Sequence, residues 1–358
     1  GREVTVAGGV TAGGASATSQ DRTPTQTQPK VAITAQDTVA ITNTATVQAG
    51  GGDTAGRIRI AGKDISTEGV ISAGTTNATN QVVGKVNLDA LNSVTINGDI
   101  SVDSTQSVGG RITVEAQRIH VQGNATLTAT GKTGGGDILI GGDWQGGANV
   151  ERRVFDDPNA LRQAVTVTMD QGALVDASAT DNGDGGTVVL WSDIHNPDSV
   201  TRVYGELLAE GGADSGDGGQ IETSGFYLDA IPSNVSAAAA NGERGEWLLD
   251  PYNIVISSST SGTPFSDSGA DYTYTPSADS TILASSIVSA LNAGTNVTVS
   301  TGLDSSGVGS VGDITVNSAI NATTANGGDL TLEAQRYIVL NADLTTVGSM
   351  TFAGDVRL

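Results

Sequence analysis

Glycine, any residue, an apolar residue, any residue, and usually a second apolar residue: this phrase recurs along the chain. It reads Gly56-Arg57-Ile58-Arg59-Ile60, Gly84-Lys85-Val86-Asn87-Leu88, Gly110-Arg111-Ile112-Thr113-Val114 and Gly136-Asp137-Ile138-Leu139-Ile140. It returns at Gly186, Gly219, Gly245 and Gly328; Trp247 fills the first apolar place of one copy, and Thr223 breaks the second place of another. The first four copies lie 28, 26 and 26 residues apart, and the next gap, 50, reads as two periods. A repeat of that length is one turn of a β-solenoid or one leucine-rich repeat. The leucine-rich alternative fails, because its leucine spacing, terminal asparagine and helical segments are missing.

Alternation along a strand puts Ile112 and Val114 on one side and Arg111, Thr113 and Glu115 on the other. The glycine ahead of each strand permits a positive φ in the corner. Asp and Asn crowd the corners because their side chains satisfy turn backbone groups. A second short strand follows, as at Ile119-His120-Val121, then a third, as at Leu127-Thr128-Ala129. The expected fold is therefore all-β: a right-handed parallel β-helix with triangular coils and a loop and helix insertion. Ile58, Ile60, Ile112, Val114, Ile138, Ile140, Val188 and Leu190 are expected to stack inside it. Roughly thirteen coils at about 4.8 Å each make a rod of about 60 Å. Gly312-Asp313-Ile314 lies only 16 residues before Gly328, so it is expected on another face.

Two segments leave the pattern. Residues 150–164 carry charges and Asp157-Pro158, and read as a loop with one helical turn. Residues 257–293 read as an insertion outside the coils, between coils 1–256 and coils 294–358. Its Ile282, Leu283, Ile287, Val288 and Leu291 have helical spacing after a candidate N-cap, Asp279. That short helix is expected to dock on the outer wall of neighbouring coils.

Composition narrows the partners. Hydrophobic residues make up 37% of the 358 and are evenly spread, which suits a thin, continuous core rather than a compact one. Seventeen basic residues face 39 acidic ones, a net charge of −22, which argues against nucleic acid and anionic lipid as partners. No apolar run of about 18 residues suggests membrane insertion. With no Cys there is no disulfide scaffold. Neither a signal peptide nor an initiator Met is present, and the chain reads as a piece of a longer one.

Several phrases resemble two-partner-secretion exoproteins: Gly141-Gly142-Asp143-Trp144-Gln145-Gly146, Asp176-Ala177-Ser178-Ala179-Thr180, and Asn182-Gly183-Asp184-Gly185-Gly186 followed by Trp191. Glu246-Trp247-Leu248-Leu249-Asp250-Pro251, followed by Asn253-Ile254, is the most specific. It is similar to a phrase of filamentous-haemagglutinin-like and high-molecular-weight adhesins. The resemblance covers roughly residues 100–300. It implies a chain exported through an outer-membrane transporter partner and folded outside the cell as a long β-helix, secreted or held at the bacterial surface. The implied function is attachment to a glycan, a matrix polysaccharide or a host-surface receptor. That family's secretion domain, with its Asn-Pro-rich signatures, is not recognised here. The alternatives are the stalk of a contact-dependent toxin or cytolysin, and a carbohydrate-active β-helix enzyme.

An enzyme of the last kind needs carboxylates gathered on one face. Here most Asp residues sit beside Gly in corners: Asp53, Asp137, Asp143, Asp184, Asp217, Asp313 and Asp329. With two His, His120 and His195, and no Cys, zinc or nucleophilic chemistry has little to work with. The segments at Asp181 and Asp214 resemble fragments of Ca²⁺ loops but lack the spacing and the closing Glu. The expectation is no catalysis, no metal and no cofactor. Candidate ligand-binding residues are Tyr272 and Tyr274 in the long insertion, and Trp191, which alternation points outward, where it is better suited to seating an insertion. Trp247 is expected inside.

Overall fold

The computed structural model describes residues 1–13, 28–52, 54–75, 83–259, 280–301 and 312–358 of the chain. The phrases stack as the strands of one wall of a parallel β-helix. Ile58, Val86, Ile112, Ile138, Val188, Ile221, Trp247, Val297 and Leu330 are successive register partners in parallel pairs, and all are buried. A third wall stacks Ile71, Ile100, Leu127, Val175, Leu207 and Val235 in the same way. Between these two runs the second wall, where Ile65, Val94, Ile119 and Val167 follow one another. Side chains from all three walls meet in one apolar cluster that runs from Val6 to Ile338. Gly312-Asp313-Ile314 does fall on another face. Ile314–Val316 belongs to the second wall and pairs with Ile254–Ser257.

The spacing of 50 is one coil, not two. Asp137–Ile140 pairs directly with Thr187–Trp191, and Glu246–Pro251 directly with Asn296–Ser300. The intervening excess is inserted chain, which has no period and so passes for one. Among the described residues ten successive pairings therefore link eleven strands on the first wall, and twelve link thirteen on the second, for a height of about 58 Å, close to the 60 Å expected.

The glycine of each phrase serves a purpose other than the expected one. None of these glycines has a positive φ. A Cβ on Gly136 would come within 2.1 Å of the Gly110 carbonyl oxygen; on Gly219, 2.1 Å from that of Gly186; on Gly245, 2.1 Å from that of Gly219. The corner glycines pack against one another up the rod, and any side chain would force the coils apart.

The long insertion also departs from expectation. Its helix is Ala284–Asn292, and it begins without a side-chain cap after Leu283; Asp279 lies outside the described residues. Ile282 and Leu283 belong instead to a strand, Ser280–Leu283. The helix is not docked on an outer wall. It touches Asn234–Ser236 and Ile320–Ala322, so it takes the place of a third-wall strand, and Ile287 and Leu291 are 0% exposed within the main core. Ser280–Leu283 meanwhile inserts between Tyr227–Ala230 and Ile254–Ser257 on the second wall. Among the described residues no strand matches it on the first wall, where Glu246–Pro251 pairs directly with Asn296–Ser300, so from this point the second wall runs one strand ahead. Among the described residues no helix is long and apolar enough to cross a membrane.

Candidate ligand-binding groove

Outside the main core a second apolar cluster lies on the outer surface of the first wall: Leu139, Val189 and Leu248 from the strands, with Trp144, Leu161 and Trp191. It is sealed by the segment that follows Ile140. The chain leaves the wall at Gly141, whose φ is +83° and whose added Cβ would lie 2.2 Å from the Trp191 carbonyl oxygen. A 3-10 turn, Trp144–Gly147, follows, and residues 150–164 then run as bends and turns. The one helical turn thus falls earlier than the sequence suggests.

Asp143 organises this lid. Its carboxylate accepts from the backbone N–H groups of Trp144, Val154 and Phe155 at 2.8, 2.8 and 2.9 Å. Two arginines bind the lid to the rod. Arg152 lies 4.3 Å over the Trp144 ring, pairs with Glu246 at 2.6 Å and donates to Gln220 at 2.9 Å. Arg162 pairs with Asp89 at 2.5 Å and Glu115 at 3.7 Å.

Trp191 points outward, as alternation requires, and is 1% exposed beneath this lid, its indole N–H donating to Gln163 at 3.1 Å. No face of it is open to a ligand. Trp247 is 0% exposed in the core and donates to Thr223 at 3.0 Å, which explains the polar residue in that inward place. Tyr272 and Tyr274 lie outside the described residues.

A concave surface lies beside the lid. A groove of about 480 Å³ crosses successive coils at the glycine corner, lined by Arg152 and by Gly218, Gly219 and Gly245. Its other groups are polar or charged, among them Gln220, Glu246, Asn296, Thr298 and Asp329. Asn296 accepts from the Asp329 N–H at 3.0 Å and donates to the Arg244 carbonyl at 3.3 Å, and Thr298 donates to Glu246. Such a trough offers donors and acceptors in a row one strand spacing apart, suited to a hydroxyl-rich chain laid along the rod.

The sequence did not mark these residues as a groove, although a signal was present. Gln220 and Glu246 occupy the same place, directly after the glycine of the phrase, and share a register. Reading that column down the repeats would have found them.

The corner carboxylates do turn chemistry where the structure describes them. Asp184 accepts from the Asp217 N–H at 2.8 Å, Asp217 from Glu243 at 2.7 Å and Asp329 from Ser349 at 2.6 Å. Asp137 and Asp313 are exceptions: Asp137 opens a strand and pairs with Arg111 at 2.9 Å, and the Asp313 carboxylate is held by Arg336. Asp53 lies outside the described residues. Two acids on the outer side of the first wall are buried, which alternation alone did not announce. Glu222 is 0% exposed under the lid, accepting from the Gln145 N–H at 2.7 Å and from Ser224 at 2.8 Å. Burial, with Asp250 adding to it, pushes its carboxyl up to about 8. Asp250 is 5% exposed with one oxygen unpartnered, and burial followed by the nearby Glu333 pushes it up to about 6. Among the described residues no group of three or more His, Cys, Asp or Glu is placed to hold a metal ion.

No family model matches the chain, and no curated protein matches it. Among solved structures it is similar to the HMW1 secretion domain from Haemophilus influenzae, at 20% sequence identity and a TM-score of 0.46. The similarity covers 69% of this chain and 66% of that one.

Proposed function

We propose that this chain is a rigid segment of a secreted bacterial adhesive fibre, a non-catalytic rod that carries binding surfaces away from the cell. The observation that supports it is the single apolar core running unbroken through the stack, from Val6 to Ile338. A core of that form confers length and stiffness, and it leaves three long walls whose outward residues take no part in it. The phrase Glu246–Pro251 adds the resemblance to surface adhesins. On this reading the chain leaves the cell through an outer-membrane transporter partner, and its walls meet a glycan, a matrix polysaccharide or a host-surface receptor.

One observation favours a second reading, a carbohydrate-active wall: Glu222 and Asp250 are neighbouring carboxyls that burial pushes above the usual carboxylate range, as it does catalytic acids. It ranks below the first because Glu222 is sealed by the lid and all of the hydrogen bonds above tie it to the protein itself.

Beads coated with the purified chain test both. Retention of bacterial or host cells well above albumin-coated beads, with no new reducing or unsaturated ends in pectins, alginates or microbial exopolysaccharides, is the expected result. Bare beads would sink the adhesive reading. Turnover abolished by Asp250→Asn would put the enzyme in its place.

A further inference from the structure

Lys30, Arg57, Lys85 and Arg111 are successive register partners on the first wall, one above the other on four adjacent strands. Each is outward, because Val31, Ile58, Val86 and Ile112 beside them are in the core. Strand spacing makes this a row of cations about 14 Å long. Like charges directly opposite one another destabilise a strand pair. The clustering is also against the odds, since the chain has only 17 basic residues against 39 acidic ones.

Neighbouring acids cancel only the last member of the row. Arg111 pairs with Asp137, and Asp89 is taken by Arg59 and Arg162. Among the described residues Lys30, Arg57 and Lys85 make no ion pair, and the Arg57 guanidinium donates only to the neutral Gln28. The Lys85 ammonium is pushed below its ordinary value by burial and then by the Arg111 and Arg57 guanidiniums, with Asp137 opposing. The repulsion is therefore present in the folded protein.

We infer that this row is a binding site for an acidic polysaccharide, a polymer with carboxylates spaced along a single chain. A single file of cations suits a single file of anions. A nucleic acid duplex fits poorly, because its two phosphate rows would meet an otherwise acidic molecule of net charge −22. The site rests on the adhesive reading and deepens it by naming a ligand class.

The test is affinity electrophoresis of the chain through gels containing alginate, polygalacturonate, neutral dextran or a single-stranded oligonucleotide, at low and at near-physiological salt. The two acidic polysaccharides should retard it, and salt should weaken the effect. Dextran should do nothing. Arg57→Gln with Lys85→Gln should weaken retardation by about tenfold or more and lower its salt dependence by roughly two ion equivalents. Lys132→Gln, which removes a cation paired with Asp181 elsewhere, should change neither. The double variant should melt no lower than the parent, since it relieves repulsion, so lost binding cannot be assigned to unfolding.

The inference is overturned by absent retardation, by equal retardation in dextran, by tighter binding to the oligonucleotide, or by an unaffected double variant. If coated beads still hold cells in any of those cases, the adhesive reading stands and only the ligand class falls.

Discussion

Glu222 sits between the lid and the rod, and its protonation couples the two. Its folded value, about 8, lies above the ordinary 4.5, so the folded state holds a proton that the unfolded chain releases. Its contribution to stability is therefore complete below pH 4.5 and declines as pH rises toward 8, because folding then requires either a proton or a buried charge. Asp250 acts in the same sense over a lower window, from its ordinary 3.8 to about 6. Glu222→Gln keeps the shape and the capacity to accept from Gln145 while removing the titration. It should flatten the fall in thermal midpoint between about pH 5 and 8, and leave the midpoint at low pH nearly unchanged. Parallel pH profiles for parent and variant would show that the lid tolerates the charge. Asp250→Asn should flatten only the lower part of the profile.

At the scale of elements, the helix Ala284–Asn292 is a coil side, and its mutational cost should be that of core. Leu291 is 0% exposed against the third-wall strands, so Leu291→Ala should cost about 2–5 kcal/mol. A helix merely resting on the outer wall would lose well under that. Chemical denaturation of parent and variant decides between them, and a loss below about 1 kcal/mol would argue for peripheral docking.

This helix also shows where the sequence stops being legible. The phrase with two alternating apolar residues declares its strand and its inward face, so Ile112, Ile138 and Val188 could be assigned to the core from the sequence. Ile287 and Leu291 announce a helix but not which side of the wall it occupies, since an apolar stripe fits either. The row from Lys30 to Arg111 and the groove at Gln220 and Glu246 were hidden for another reason. Their members lie a whole coil apart in sequence and become neighbours only when the register is known. For Trp191, alternation gave the direction and favoured the seat of an insertion, and its burial removes it as a ligand candidate. The lid that covers it lies in irregular chain.

The whole molecule is a one-dimensional stack, in which each coil depends mainly on the coils beside it. Ladder bonds run from coil to adjacent coil, as from Ile112 to Val86 and Ile138. A rod of this kind can be shortened from one end without losing its fold. Ending the chain at residue 238 removes the out-of-phase strands, the helix and everything beyond. The first wall then ends at Gln220–Gly225 and the third at Asn234–Ser236. The lid stays on Leu139 and Val189 but loses Leu248 and the Arg152–Glu246 ion pair. The shortened protein should therefore keep a β-sheet circular dichroism spectrum and a cooperative melt, at a lower midpoint, and its lid should be the first part to exchange amide hydrogens. It should also keep the cationic row, and with it the retardation in alginate gels. A compact globular domain treated this way would unfold, because its core would be cut through. An unfolded 238-residue fragment would therefore refute the stack as the unit of stability.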